Sequence, residues 1–323
     1  MIEELKNKIF SGEMITKDEA MSLIDAPLDE LCKAADEIRE KFCDNVFDIC
    51  TIINAKSGRC SEDCKYCAQS AFHCTNVEEY PLLDKETVVN AAKKSADKGI
   101  KRFSLVASGK RLSDSEVDKV CEIIKEIRKI SDISVCASLG LLNEEQFKRL
   151  KDAGLTRVHN NLESSRNYFP NVCTTHTYDD KINAIKAAKK AGLSVCSGGI
   201  AGLGESMEDR IEMAFEVRNL GVSSMPVNML NPIKGTPYEN NKKLTKDDMR
   251  RICAIFRSIN PSAAIRLAGG RILLDDGGKS CFESGANAAI SGDMLTTTGE
   301  TVMSDMQLIK SLGFTAGLLD EVK

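Results

Sequence analysis

The sequence predicts a (β/α)8 barrel of the TIM type, and three observations lead to this fold class. The chain has 323 residues, a length that suits one such barrel with additions. Short apolar runs rich in β-branched residues recur along the chain, and charged segments with helical periodicity separate them. Eight strands that alternate with helices are typical of a closed parallel barrel. An open doubly wound sheet is the alternative, but eight units fill the chain without a second domain.

The residues before the first predicted strand indicate a helical extension. ITKDEA carries a capping box, Thr16 with Glu19 three residues later. Residues 15–43 are typical of two short helices. We therefore expect two parts, an N-terminal helical extension over residues 1–43 and a barrel over residues 44–323.

The strands of the barrel follow in chain order. The runs that predict them are VFDICTII (46–53), RFSLVAS (102–108), ISVCAS (133–138), TRVHN (156–160), LSVCSGGI (193–200), SSMPVNM (223–229), AAIRLAG (263–269) and NAAIS (287–291). Helical segments lie between them, for example DKETVVNAAKKSADKG, SEVDKVCEIIKEIRKI, NEEQFKRLKDAG and DKINAIKAAKKAG. Several of these segments end in glycine, as helices commonly do. In such a barrel, functional residues collect at the carboxyl ends of the strands, and the unusual polar residues and cysteines of this chain fall there.

Composition argues against several classes of function. The net charge of −4 gives no support for nucleic acid or an anionic membrane as a partner. No apolar run reaches the roughly 18 residues of a membrane span, and the start MIEELKNKIF lacks the apolar region of a signal peptide. The 13 cysteines are an odd number in a chain that is not small, so a disulfide scaffold is not expected. We expect a cytoplasmic protein.

The stretch RCSEDCKYCAQS, residues 59–70, gathers Cys60, Cys64 and Cys67 in one short loop. Thiolates this close can converge on one inorganic centre. A structural zinc site and an iron–sulfur cube both normally take four ligands, and His73 or Cys74 offers a fourth. If the three thiolates alone hold a cube, one iron stays open for a substrate that chelates it.

This loop, CSEDCKYC directly after the first predicted strand, resembles the signature of the radical S-adenosylmethionine (SAM) superfamily. The resemblance implies that Cys60, Cys64 and Cys67 hold a [4Fe–4S] cluster whose open iron binds SAM, with Tyr66 at the cofactor. It also implies an oxygen-sensitive protein. Such a cofactor generates a radical that removes hydrogen from an unactivated C–H bond, and the protein orients the reactants and excludes solvent.

Further strings, in order from about residue 45 to about residue 315, resemble the biotin synthase family. They are VHNNLESS (158–165), TTHTY (174–178), VCSGGIAGLGE (195–205), VNMLNPIKGTP (227–237), AIRLAGGR (264–271) and GANAAISGDMLTTTG (285–299). The resemblance implies a sulfurtransferase that inserts sulfur into dethiobiotin to make biotin. It also implies an electron donor of the flavodoxin or ferredoxin type and a homodimer.

The same resemblance implies roles for single residues. Asn161 and Asn228 match asparagines that bond the ureido ring of dethiobiotin and its surroundings, and Glu163 matches an aspartate that bonds the SAM ribose. Lys181 stands where the family often has an arginine near the SAM carboxylate. Two further positions let the backbone approach the ligand closely: Gly198 and Gly199. Each position also has a plain alternative, namely a polar strand end, a solvated helix face or a turn.

The family draws its sulfur from an auxiliary iron–sulfur cluster held by three strand cysteines and one arginine. Cys136 and Cys196 match two of these cysteines, and Arg266 matches the arginine. An arginine inside a barrel is costly unless it is paired or bound. The third cysteine is missing because the second strand offers Ser104 instead, and serine is a poor ligand for such clusters. The two-iron cluster with that ligand set is therefore in doubt.

Other cysteines are candidates to compensate. We expect Cys74 to join Cys136 and Cys196 in a rearranged auxiliary site of the two-iron type or a four-iron type that carries the donated sulfur. The alternative is that Cys74 is a surface thiol. Cys173, after the fourth strand, is a further candidate. Two other functions stay open: a sibling radical SAM maturase or mutase that donates no sulfur, and a zinc-stabilised binding protein.

Overall fold

A closed parallel barrel forms the centre of the structure, a computed structural model that describes residues 1–297 and 299–319. Thr298 and residues 320–323 of the predicted barrel lie outside the described residues. The strands of the described part are β1 Val46–Lys56, β2 Arg102–Ala107, β3 Ser134–Ser138, β4 Arg157–His159, β5 Ser194–Cys196, β6 Gly199–Ala201, β7 Ser224–Met229, β8 Ala264–Leu267, β9 Ala288–Ser291 and β10 Thr315–Ala316. β1 to β5 and β7 to β9 pair in parallel in chain order, and β9 pairs with β1 to close the barrel. The predicted fold class is confirmed.

Helices surround this barrel. They are α1 Ile2–Phe10, α2 Lys17–Met21, α3 Leu28–Cys43, α4 Lys85–Asp97, α5 Asp114–Ile130, α6 Glu144–Ala153, α7 Tyr178–Lys190, α8 Met207–Asn219, α9 Lys246–Ile259, α10 Lys279–Phe282 and α11 Val302–Ser311. The four helical segments that the sequence predicts between the strands correspond to α4, α5, α6 and α7. Several helices begin with a capping box, as α5 does, where Ser113 and Glu116 exchange hydrogen bonds. A left-handed Gly154 ends α6.

The N-terminal extension holds three helices, one more than the sequence indicated. The capping box between Thr16 and Glu19 is present at the start of α2, and α3 follows. The additional helix is α1. α3 packs mainly against α1 and α9, and α2 packs against α8 and α9, so the extension lies against the outer helices on one side of the barrel.

One predicted strand, residues 193–200, is interrupted. It forms β5 and β6, and β6 pairs with β7. The break falls at Ser197 and Gly198, where a Cβ atom on Gly198 would lie 2.1 Å from the Pro226 carbonyl oxygen. The chain crosses β7 so closely here that only glycine fits, because an added Cβ would overlap the neighbouring backbone.

Alternate residues of each strand face the inside of the barrel. On β1 the outward residues Phe47 and Ile49 belong to the apolar core between sheet and helices. The inward residue Asp48 accepts hydrogen bonds from arginines on β2 and β8. The interior is therefore polar near its closed end, and this polar layer lies beneath the functional site.

Candidate functional site

A cavity of about 280 Å³ opens at the carboxyl ends of the strands. Tyr66 and Cys67, in the loop after β1, line it on one side. Ser104, His159 and Arg266 line it from within β2, β4 and β8. The cavity thus connects the three-cysteine loop with the barrel interior, at the end where parallel barrels carry their active sites.

The three predicted cluster cysteines share one ordered loop. Cys60, Cys64 and Cys67 are each half-buried. The loop folds back on itself because the Cys60 amide donates to the Gln69 carbonyl at 2.9 Å, and the Cys60 carbonyl accepts from the Ala71 amide at 2.8 Å. The Cys67 amide donates to the Cys64 carbonyl at 2.9 Å. Three soft, accessible sulfur donors on a preformed loop suit an iron–sulfur cluster.

Of the two candidates for a fourth ligand, His73 is engaged within the loop and Cys74 is exposed. The His73 ring nitrogen Nε2 lies 3.0 Å from the backbone carbonyl oxygen of Cys64, so this ring supports the loop. Cys74 is exposed. The open iron that SAM requires stays compatible with both residues.

Cys173 lies against this loop and not in the barrel interior. Its sulfur, the Cys64 sulfur and a ring nitrogen of His176 lie within 4.8 Å of one another. Cys173 is buried, 3.1 Å from Asp63 Oδ1 and 3.3 Å from His176 Nδ1. The chain between β4 and α7 thus places Cys173 beside Cys64 and not among the cysteines of the barrel strands.

Two acids between the cluster cysteines fasten the loop to that same segment. Glu62 Oε2 accepts a hydrogen bond from His176 Nδ1 at 2.5 Å. Asp63 Oδ1 accepts from the Thr174 amide at 2.8 Å and the Thr175 amide at 3.2 Å. Burial raises the pKa of Asp63, but these hydrogen bonds outweigh it and hold that pKa well below its usual range. Both acids therefore act as charged anchors.

The residues expected at SAM lie beside the loop. The Tyr66 hydroxyl donates to Glu163 Oε1 at 2.9 Å. Glu163 is buried and adopts a positive φ of 70°, which is rare for a residue other than glycine and typical of functional sites. Burial raises the pKa of Glu163, and the Lys181 charge and the Tyr66 hydrogen bond oppose that rise. Glu163 Oε2 has no hydrogen-bond partner among the described residues.

Both predicted substrate asparagines line the cavity. Asn228 is anchored, because its Nδ2 donates to the Gly199 carbonyl at 3.0 Å and its Oδ1 accepts from the Gly269 amide at 2.8 Å. Asn161 Oδ1 is buried without a hydrogen-bond partner in the described part of the chain. A buried orphan acceptor of this kind needs a partner, and the N–H group of a bound ligand would supply one.

The glycine pair serves strand packing. Gly198 approaches Pro226, as described above. A Cβ atom on Gly199 would lie 2.4 Å from the Glu163 carbonyl oxygen and 2.3 Å from the Met213 sulfur. The atoms that exclude a side chain at Gly198 and Gly199 thus belong to neighbouring parts of the protein and not to a ligand.

A buried charge network forms the floor of the barrel interior. Asp48 accepts from Arg102 Nε at 3.1 Å and Nη2 at 3.0 Å, and from Arg266 Nη2 at 2.8 Å. Arg157 Nη1 lies 3.7 Å from Asp48 Oδ2. Burial raises the pKa of Asp48, but Arg266, Arg102 and Arg157 outweigh it and hold that pKa well below its usual range. Asp48 thus joins guanidinium groups of three strands in one buried layer.

Three fully buried cysteines lie next to this network, and the sequence interpretation missed one of them. Cys136 and Cys196 are where the resemblance placed them, on β3 and β5. The third is Cys50, on β1 two residues after Asp48. Burial raises the pKa of the Cys50 thiol, and the proximity of Cys136 raises it further, while Arg266 and Arg102 oppose both.

Cys50, and not Cys74, therefore accompanies Cys136 and Cys196. Cys74, which the sequence interpretation placed with them, is exposed, whereas the other two are completely enclosed. Ser104 pairs directly with Cys136 across β2 and β3. Strand alternation in VFDICTII, which puts Cys50 on the same face as Asp48, is the signal that could have found Cys50.

No helix in the described part of the chain is long and apolar enough to cross a lipid bilayer.

Comparisons with known proteins identify relatives along nearly the whole chain. Residues 55–217 match the model of the radical SAM superfamily, and residues 226–315 match the biotin and thiamin synthesis associated domain. The chain is 59% identical over 320 residues to a biotin synthase of Brachyspira hyodysenteriae, covering 99% of this chain and 96% of that one. It is 56% identical to biotin synthase 2 of Corynebacterium diphtheriae, covering 98% and 96%.

Solved structures share the fold at low identity. A methylornithine synthase superposes with a TM-score of 0.85 at 18% identity, covering 98% of both chains. The FeFe-hydrogenase maturase HydG of Carboxydothermus hydrogenoformans gives 0.81 at 18% identity, covering 98% of this chain and 79% of the other.

Proposed function

The chain belongs to the biotin synthase family of the radical SAM superfamily, and we propose that its cavity binds dethiobiotin between two iron–sulfur centres and closes the sulfur-containing ring of biotin. It is an enzyme of the radical SAM sulfurtransferase type with a [4Fe–4S] cluster that binds SAM. The observation that carries the proposal is the cavity itself, which extends from the three-cysteine loop to a floor beside three buried thiols. The zinc-protein alternative and the sibling maturase or mutase are not favoured.

The residues at the rim of the cavity bind the cluster and SAM in this proposal. Cys60, Cys64 and Cys67 hold the cube, and neither His73 nor Cys74 competes for its open iron. When bound and reduced, this cofactor supplies a 5′-deoxyadenosyl radical that removes hydrogen from an unactivated carbon. Glu163, with one buried carboxylate oxygen unpartnered, accepts from the ribose hydroxyls. Tyr66 holds the other oxygen in place.

Lys181 provides the positive charge on the SAM side of the cavity. It is half-buried on α7, and its charge opposes the rise in the pKa of Glu163 that burial causes. We expect its ammonium group to attract the SAM carboxylate as a point charge.

The two asparagines recognise the ureido ring of dethiobiotin. An amide side chain both donates and accepts hydrogen bonds, as the ureido group does. Asn161 presents an unpartnered Oδ1 to a ureido N–H. Asn228 is fixed by the backbone of Gly199 and Gly269 and keeps one N–H and one lone pair for the ligand. Fixed donors and acceptors align the substrate at little cost in entropy.

The residues at the floor of the cavity hold the cluster that donates sulfur in this proposal. We assign the thiolate ligands of the auxiliary iron–sulfur cluster to Cys50, Cys136 and Cys196. The donor set fits, since three buried thiols lie close to buried guanidinium groups, whose positive charge would stabilise an anionic cluster. Arg266 lines the same cavity, and its ligation of iron stays a prediction of the resemblance. Cys50 offers from β1 the thiolate that Ser104 on β2 lacks.

Anaerobic turnover tests the proposed reaction. The reconstituted protein is incubated with SAM, a low-potential reductant and dethiobiotin, and the products are analysed by mass spectrometry. We expect biotin together with 5′-deoxyadenosine. Formation of 5′-deoxyadenosine without biotin would instead support the sibling reaction without sulfur donation.

Iron and sulfide analysis tests the ligand assignment. Cys50→Ser should lower both contents relative to the unmodified chain and abolish biotin formation while SAM cleavage persists. The matched control is Cys74→Ser, an equal change at an exposed cysteine, which should keep full iron content and activity. Equal iron in both variants would remove Cys50 from the ligand set.

Three broader features are part of the same proposal. A flavodoxin or a ferredoxin delivers the electron, the active form is a homodimer, and the protein works in the cytoplasm. The reducing cytoplasm is supported by 13 cysteines that are all unpaired by disulfides.

A further inference from the structure

Cys173 and His176 form a second group of metal-binding side chains with Cys64, and the proposed function uses neither of them. Both lie in the segment between β4 and α7, and both are buried. The Cys173 sulfur, the Cys64 sulfur and a ring nitrogen of His176 lie within 4.8 Å of one another. Donor atoms that share one zinc ion lie about 2.0–2.3 Å from it, so small side-chain movements would bring these three atoms around a single ion.

The donor set of this group suits a single zinc ion. Zinc takes thiolates and imidazole nitrogens in tetrahedral sites, and a water can fill the fourth position. The three cysteines of the loop, Cys60, Cys64 and Cys67, do not form so close a group among the described residues. A cube binds each cysteine through a different iron and therefore spreads its ligands more widely than one ion does. Cys64 thus belongs to two donor sets, one suited to a cube and one to a single ion.

Two carboxylates support the donors of this group. Asp63 Oδ1 lies 3.1 Å from the Cys173 sulfur, and Glu62 Oε2 lies 2.5 Å from His176 Nδ1. Carboxylates that bond the ligands of a metal orient those ligands and increase the affinity for the ion. These hydrogen bonds do not use the full capacity of the His176 ring, because Nε2 is buried without a partner in the described part of the chain. The donors are thus held in place by residues that are not themselves needed as ligands.

We propose that the chain without its iron–sulfur cube binds one Zn²⁺ ion between Cys64, Cys173 and His176, and that this ion excludes the cube. Binding releases the protons of the two thiols to solvent and changes no oxidation state. Cys64 cannot serve both centres, so the zinc ion must leave before the cube assembles. The exclusion rests on the proposed function, because it needs Cys64 as a ligand of the cube, whereas the zinc site itself does not.

Cobalt absorption spectroscopy locates the ion, because Co²⁺ occupies zinc sites and its thiolate ligands give charge-transfer bands. The full chain, freed of iron, is titrated without air with Co²⁺ and then with Zn²⁺, which displaces it. We expect the bands of two thiolates. Cys173→Ser should remove the contribution of one thiolate and weaken Zn²⁺ binding about 100-fold or more. Cys60→Ser, an equal change within the loop, should alter neither. Binding that depends on Cys60 and survives Cys173→Ser would overturn the inference, since the ion would then lie on the three cysteines of the loop.

A pair of histidine variants tests the third ligand and decides the matter if Cys173→Ser fails to fold. His176→Gln should weaken Zn²⁺ binding as strongly as the loss of Cys173 does. His73→Gln, the matched control, changes a histidine that supports the same loop and should keep the affinity. Equal affinity for Zn²⁺ in the two variants would remove His176 from the site and overturn the inference.

A loading experiment tests the exclusion of the cube. Zn²⁺ added before iron and sulfide should lower the iron content of the reconstituted protein, and Cys173→Ser should relieve this inhibition. An iron content that Zn²⁺ leaves unchanged would overturn the exclusion. A chain that binds Zn²⁺ as expected but forms no cube in zinc-free solution would instead contradict the proposed function and leave the zinc site standing.

Discussion

Replacing Asp48 by asparagine should destabilise the cluster-free protein strongly. Asp48 is fully buried and compensates Arg102 and Arg266, which are buried to the same degree. The asparagine keeps the volume of the side chain but removes its negative charge. Its NH2 group also places a hydrogen-bond donor next to the N–H donors of Arg102 and Arg266. Removing one partner of a buried ion pair costs about 3–5 kcal/mol.

A loss of stability of this size can be measured by thermal unfolding. At about 2 °C per kcal/mol for a chain of this size, the midpoint of thermal unfolding should fall by about 6–10 °C for Asp48→Asn. The control is Asp29→Asn, which removes an exposed partner of Arg250 and should cost less than about 1 kcal/mol. Loading the auxiliary cluster should recover part of the loss, since an anionic cluster compensates the same arginines. An unfolding midpoint for Asp48→Asn within about 1 °C of the unmodified chain would refute the reasoning.

The stabilisation that Asp48 provides depends on pH, because the pKa of its carboxyl group is lower in the folded protein than in the unfolded chain. The arginines hold the pKa of Asp48 below its value in the unfolded chain. Its stabilising effect is therefore complete at neutral pH, and it declines as the pH falls below about 3.9, the ordinary pKa of an aspartate. Asp48→Asn should remove this part of the acid sensitivity, which unfolding curves measured between neutral and acid pH would show.

Three further outcomes are expected. Glu163→Gln should weaken SAM binding about 10- to 150-fold in equilibrium dialysis of the loaded enzyme, since a hydrogen bond to a charged group contributes about 1.5–3 kcal/mol. Unchanged affinity would remove Glu163 from the SAM site. Gly198→Ala should lower the yield of folded protein, because its Cβ would overlap the Pro226 carbonyl oxygen, and normal circular dichroism and solubility would contradict the close approach. Cys74→Ala should leave the oxygen sensitivity and the iron content of the loaded protein unchanged, and a loss of iron would restore Cys74 as a ligand.

The fold was predictable because the strand and helix periods alternate clearly along the chain. The boundaries of β3 and β4 lie within one residue of the predicted strands at most ends, but the run 193–200 is broken. Its sequence is apolar and continuous, and only the approach of Pro226 to Gly198 divides it. Contacts between strands distant in sequence leave no trace in local periodicity, which is why the interruption could not be predicted.

The candidate site was predictable where it follows a continuous motif, as in the three-cysteine loop, and less so where it depends on orientation. Strands of a parallel barrel are buried on both faces, so the apolar run around Cys50 does not reveal which face points inward. Asp48 is the exception in that run, since an acid buried in a barrel needs interior partners. For Cys173, the position beside Cys64 arises from the path of the chain after β4 and has no local signal.

The anchoring of the cysteine loop by Glu62 and Asp63 determines how iron reaches it. In many small metalloproteins the ligands come together only on metal binding, and the affinity for the metal then provides folding free energy. Here the carboxylates of Glu62 and Asp63 bind the Thr174–His176 segment through hydrogen bonds that involve none of the cysteine sulfurs. Chelation of the iron should therefore remove the cluster and leave a folded protein that can be reconstituted. Cluster insertion then follows folding as a separate step.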